Sequence, residues 1–156
     1  MHHIEIYVSN LDKTKEFYSW IFSILGFELF QEWKDGFSYK KDEFYIVFVQ
    51  TKEKYLNNGY NRCNIGLNHL AFRCQTKDKI DQIRKNLIQR NIVLLYDDKY
   101  PYAGGAEHYA VYFEDPDRIK VEICLGLTWK FSVMMSIAKF QFVAMCPDTE
   151  RFTWHT

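Results

Sequence analysis

Two histidines, His3 and His69, stand 69 − 3 = 66 residues apart, and each opens a run that alternates polar and apolar residues. Imidazole is the side chain best suited to binding a metal or moving a proton near neutral pH. Its use here depends on which way each ring faces. In His3-Ile4-Glu5-Ile6-Tyr7-Val8, strand periodicity puts His3, Glu5 and Tyr7 on one face and Ile4, Ile6 and Val8 on the other. In His69-Leu70-Ala71-Phe72-Arg73-Cys74, His69, Ala71 and Arg73 oppose Leu70, Phe72 and Cys74. A sheet that turns an ionisable face away from its helix in both copies lines a cavity.

The elements that must position these faces also repeat. Each run is followed by apolar residues at helical spacing: Phe17, Tyr18, Ile21, Phe22 and Leu25 in one copy, and Ile80, Ile83, Leu87 and Ile88 in the other. Asn10 or Asp12 can cap the first helix and Thr76 the second, with Gly26 and Asn91 at the stops. Three strand-like runs follow in each half: 27–30, 37–39 and 44–49, then 92–96, 108–113 and 119–124. Asp35-Gly36 and Asp115-Pro116-Asp117 supply turn chemistry. The order predicts an α+β fold of two βαβββ modules, 1–58 and 67–126, forming a cupped mixed sheet. The stretch from Lys52 to Gly66 joins them, and residues 127–156 form a C-terminal extension.

Composition narrows the partners. In 156 residues, 20 Lys+Arg balance 20 Asp+Glu, which argues against broad electrostatic binding to nucleic acid or an anionic membrane. Hydrophobic residues at 47% can fill a core, and no apolar run is long enough to span a bilayer. No leader pattern opens the chain, so the expectation is a cytoplasmic protein. Cys63, Cys74, Cys124 and Cys146 form no C-x-x-C pair and read as reduced thiols.

A paired βαβββ repeat with His opening each first strand resembles the glyoxalase/bleomycin-resistance/extradiol-dioxygenase superfamily, the vicinal oxygen chelate proteins. The strongest local match is Tyr100 to Ile123, ending Phe113-x-Asp115-Pro116-Asp117-x-x-x-x-Glu122. The resemblance implies that His3, His69 and Glu122 are metal ligands, with Glu122 also acting in catalysis. Two imidazoles and a carboxylate suit Mn, Fe, Ni or Zn and leave positions open to substrate. Such an ion polarises a carbonyl or stabilises an oxyanion. The implied function is a metal-dependent enzyme, of lyase/isomerase or dioxygenase type, acting on a small oxygen-chelating molecule in a homodimer. The alternatives are a metal-free protein sequestering a small molecule, as bleomycin-resistance members do, and a fosfomycin-type thiol transferase.

The sequence departs from the family in places. Glyoxalase I-type members carry a second carboxylate where alignment of 47–49 with 121–123 puts Phe48, with Gln50 the nearest polar alternative. The family's Asp-Pro-Asp-Gly turn is here Asp115-Pro116-Asp117-Arg118, so Arg118 must take a turn conformation usual for Gly.

Other residues carry more than one reading. Glu5 is a candidate catalytic residue, as substitute ligand, hydrogen-bond partner of a ligand or general base; an ion pair with Arg73 is the structural alternative. Glu107 and His108 stand at a strand entrance, where His108 is either a base or an exposed turn residue. Tyr7, Trp33, Tyr39, Tyr102 and Tyr112 can line a pocket or simply pack. Ala103-Gly104-Gly105-Ala106 reads as a connection beside the cavity mouth, not a phosphate loop. The apolar side chains of 127–145 should pack on a module or across a dimer.

Overall fold

The computed structural model describes residues 1–126. The expectations for 127–156 lie outside the described residues. β1 (His3–Val8) leads into α1 (Leu11–Leu25), then β2 (Glu28–Trp33), β3 (Gly36–Lys41) and β4 (Phe44–Gln50). After the connecting segment, β5 (His69–Cys74), α2 (Lys77–Gln89), β6 (Leu94–Leu95), β7 (Ala110–Glu114) and β8 (Lys120–Leu125) repeat the order. The strands form two four-stranded sheets, β1-β4-β3-β2 and β5-β8-β7-β6, each with one parallel pair among antiparallel ones. This is the α+β arrangement of two βαβββ modules. No helix among the described residues is long and apolar enough to cross a membrane.

Local chemistry starts and stops the helices. Asn10 Oδ1 accepts from the Lys13 amide at 2.9 Å, and Thr76 Oγ1 from the Lys79 amide at 3.3 Å. Each such cap is worth roughly 1 kcal/mol. Gly26 ends α1 at φ 80°, a left-handed conformation that carries no Cβ penalty in glycine. Asn91 takes φ 55° beyond α2, and Arg118 φ 67° in the β7–β8 turn, so a non-glycine residue does accept that turn.

Both helices bury their apolar stripes in one shared core. Tyr18, Ile21 and Phe22 of α1 and Ile80, Ile83 and Leu87 of α2 are fully buried, with Val8, Phe48, Phe72, Phe113 and Ile123 among the strand residues beside them. α1 reaches across to the second module: Phe22 meets Phe72 edge-on at 5.4 Å, and Phe17 lies 6.1 Å from Phe113. Tyr39, one of the pocket aromatics expected from sequence, belongs to this core, against Phe22 at 5.2 Å. A polar bond seals the junction. The Tyr18 hydroxyl donates to Oδ2 of the buried Asp115 at 2.9 Å, at the start of the β7–β8 turn.

Because the helices cover the Ile6/Val8 and Leu70/Phe72/Cys74 sides, His3, Glu5 and Tyr7 and His69, Ala71 and Arg73 face away from the core. Two sequence-based details change. The strand expected over 92–96 is only Leu94–Leu95, because the chain then turns through a short 3₁₀ segment, Asp97–Lys99. The position matching Glu122 is also one residue earlier than the motif suggested. His69 pairs with Lys120 and His3 with Tyr45, so Glu122 corresponds to Val47; Phe48 points into the core. Neither residue offers a ligand.

β3 starts at a residue that must be small. A Cβ on Gly36 would stand 2.2 Å from Trp33 Cζ2 and 2.8 Å from the Phe48 carbonyl oxygen. Gly36→Ala should therefore destabilise the protein by about 1–3 kcal/mol, measured as a lower denaturation midpoint at unchanged slope. An unchanged midpoint would show that Trp33 moves aside freely.

Candidate metal-binding site

The site is built on the polar face of the second sheet. Strand alternation puts Lys120, Glu122 and Cys124 of β8 on that face. Register places Ala71 beside Glu122 on one side and Tyr112 on the other. His69 lies at the head of β5, whose apolar residues anchor the opposite face, so its ring leans towards β8. The chain between β6 and β7 returns across the sheet and delivers His108 just before β7. Ala103, Ala110 and Tyr112 form a small apolar floor there, with Leu95, Tyr96 and Cys124 packed against it.

Glu122, only 6% exposed, is the centre of this arrangement. His69 Nε2 lies 3.1 Å from its Oε2, and His108 Nε2 lies 2.5 Å from its Oε1. Two imidazoles, one from each side, thus address the two oxygens of one carboxylate. Cys124 Sγ belongs to the same cluster: ligand atoms of His108, Glu122 and Cys124 all lie within 4.8 Å of one another. Burial, with Glu122 adding to it, pushes the Cys124 thiol up to about 11. Burial and the same carboxylate raise the Tyr112 phenol above its ordinary value, which keeps it a proton donor at neutral pH.

The other nitrogen of His69 defines how the ring is used. His69 Nδ1 is 2.9 Å from Asn68 Oδ1. With the amide oxygen assigned as acceptor, Nδ1–H donates to Asn68 and Nε2 is the nitrogen turned on Glu122. At 3.1 Å, Nε2 and the buried carboxylate oxygen are brought together by a proton or a cation shared between them. A partner fixing Nδ1 while Nε2 faces a carboxylate is the usual arrangement of a metal-binding imidazole. The donor set therefore fits a divalent ion.

The sequence-derived residues divide. His69 and Glu122 come together. His3 lies on the first sheet, its ring stacked on Tyr45 at 4.8 Å and its Nδ1 2.9 Å from His2 Nδ1; among the described residues it makes no ion pair with Glu122. Glu5 is exposed and forms no ion pair with Arg73 among the described residues; it borders a groove of about 390 Å³ with Tyr7, Tyr55 and Tyr60. Of the proposed pocket aromatics, Tyr112 adjoins Glu122, whereas Tyr7, Trp33 and Tyr102 are exposed. Asn68 was not anticipated; its only sequence signal is that it precedes His69. From sequence Cys124 reads only as a reduced thiol; its place beside Glu122 follows from their i, i+2 spacing on β8.

Comparison with known proteins agrees with this architecture. A family model described as the Glyoxalase/Bleomycin resistance protein/Dioxygenase superfamily matches residues 1–123. A relative from Bacillus subtilis (strain 168), the uncharacterized protein YqjT, is 50% identical over 123 residues, covering 79% of this chain and 96% of its own. A crystal structure from Bacillus halodurans, of a protein provisionally called a glyoxalase, is 44% identical with a TM-score of 0.79, covering 81% of this chain and 95% of that one. The lactoylglutathione lyase of Agrobacterium tumefaciens shares the fold at 19% identity and a TM-score of 0.57, over 84% and 96% of the two chains.

Proposed function

We propose, because the chain belongs to the Glyoxalase/Bleomycin resistance protein/Dioxygenase superfamily, that it is a metal-dependent enzyme acting on a small molecule with neighbouring oxygens. The reaction is of lyase/isomerase or dioxygenase type. The observation that carries this reading is the Asn68–His69–Glu122 arrangement, in which an imidazole anchored through Nδ1 turns its Nε2 on a buried carboxylate. His69 and Glu122 hold the ion in this reading. When bound, the ion polarises a substrate oxygen and takes up developing negative charge. Tyr112 donates a hydrogen bond at the same carboxylate, and the Ala103–Tyr112 floor keeps water from one side. The divalent ion is Mn, Fe, Ni or Zn by the character of the ligands.

His3 enters this reading through a second copy of the chain. Its face is exposed and turned from the core, as is that of His69, so a homodimer that apposes the two faces brings His3 of one copy to Glu122 of the other. Glu5, two residues on, accompanies it as a base or hydrogen-bond partner.

Metal analysis of protein purified without a histidine tag tests the proposal. Stoichiometric Mn, Fe, Ni or Zn is expected, and His69→Ala should lower occupancy by at least about tenfold. Absence of metal under every loading condition would refute it. That outcome would favour a metal-free small-molecule binder, a reading supported by exposed Phe30, Trp33 and Tyr7.

A further inference from the structure

We propose that His108 is itself a metal ligand, so that His69, His108 and Glu122 hold a borderline divalent ion within a single chain. The inference rests on the metal-dependent reading above and extends it to a donor supplied by a segment that only the second module has. In the first module, β2 and β3 join through a tight turn at Lys34-Asp35. In the second, residues 96–109 intervene between β6 and β7, and their last turn sets His108 over the sheet, its amide donating to the Gly105 carbonyl at 3.0 Å. The first module has Val47 where the second has Glu122, so no further ligand comes from that position.

Three features fit a ligand better than an incidental surface histidine. First, His108 Nε2 is 2.5 Å from Glu122 Oε1, on the oxygen that His69 leaves free. Ligands bound at about 2.0–2.2 Å around one ion stand roughly 3–3.5 Å apart, so small side-chain rotations convert these contacts into coordination. Second, the place of the ring depends on an absent side chain. A Cβ on Gly104 would lie 2.5 Å from His108 Cδ2 and 2.6 Å from the Tyr112 hydroxyl. Third, Cys124 Sγ stands within 4.8 Å of the His108 and Glu122 ligand atoms. Two imidazoles with a thiol beside them select Zn²⁺, Co²⁺, Ni²⁺ or Fe²⁺ over Mg²⁺ or Ca²⁺.

Titration of the full chain with Co²⁺, followed by visible absorption and by paramagnetically shifted imidazole N–H proton signals, decides the matter. His108→Ala should weaken Co²⁺ binding on the order of 100-fold and remove one shifted signal. Gly104→Ala, which retains the imidazole but displaces it, should weaken binding in the same direction. Millimolar Mg²⁺ should not compete. Wild-type affinity in His108→Ala, or weakened affinity with the number of shifted signals unchanged, would overturn the assignment. If His108→Ala binds normally while His69→Ala does not, the inference fails and the metal-dependent reading stands. If the wild-type chain takes up no Co²⁺, that reading fails and the inference fails with it.

Discussion

Glu122→Gln should leave a folded protein that retains almost no divalent metal, with affinity reduced more than about 100-fold and turnover of any substrate lost. Among the described residues the carboxylate is the one group that forms ion-pair contacts with both His69 and His108, at 3.1 and 2.5 Å. An amide of the same shape keeps the packing against Tyr112 but loses the charge that an ion requires. The apo-protein makes the test specific. Glu122 is buried but the two imidazoles beside it are partly exposed, so an isosteric amide that still hydrogen-bonds to them should change thermal stability little. Metal content by elemental analysis and melting with and without metal are the two readouts. A variant that loads metal like the wild type would remove Glu122 from the site. A variant that melts far lower without metal would make the residue structural.

The second large effect falls on the junction between modules. Asp115 is 5% exposed and accepts from the Tyr18 hydroxyl at 2.9 Å and from the Asp117 and Ile119 amides at 2.9 and 2.8 Å. Asp115→Ala strands the fully buried Tyr18 hydroxyl and the Ile119 amide. Each stranded donor costs about 1–3 kcal/mol, so a loss on the order of 3–5 kcal/mol and a fall in Tm of roughly 10–20 °C are expected. Loss of less than about 1 kcal/mol would mean that water replaces the carboxyl group.

Asp115 also makes stability depend on pH. Burial raises its carboxyl from 3.8 to about 7, against the pull of its hydrogen bonds. Between those values the unfolded chain has released the proton and the native chain still holds it. Stability from this group is therefore full below about pH 4, falls as pH rises towards 7, and is flat above. At about 1.4 kcal/mol per unit over roughly three units, the total is on the order of 4–5 kcal/mol. Asp115→Asn keeps an oxygen for both amides and has no proton to lose, so it should flatten that slope in urea denaturation. An equal slope in variant and wild type would assign the pH dependence elsewhere.

Much of this protein is determined by local sequence. Asn10, Thr76, Gly26 and Asn91 act on their own backbone neighbours, so helix limits follow from short-range chemistry that needs no partner. Strand alternation likewise fixes that His69 opposes Leu70 and Phe72, and that Glu122 opposes Val121 and Ile123, because pleating has a period of two. The repeat with a 66-residue offset carries the two-module fold. Register lies beyond such reasoning. A shift of one residue separates Val47 from Phe48, and only the pairing of His3 with Tyr45 and His69 with Lys120 decides between them. His108 depends on tertiary structure for the same physical reason. It sits in an irregular segment with no periodicity to orient its ring. Its meeting with Glu122 arises because residues 96–109 fold back over a sheet whose floor and glycine leave room for it. Sequence determines which face each strand residue occupies; the approach of a loop to that face, and of His69 and His108 to one carboxylate, is decided by long-range packing.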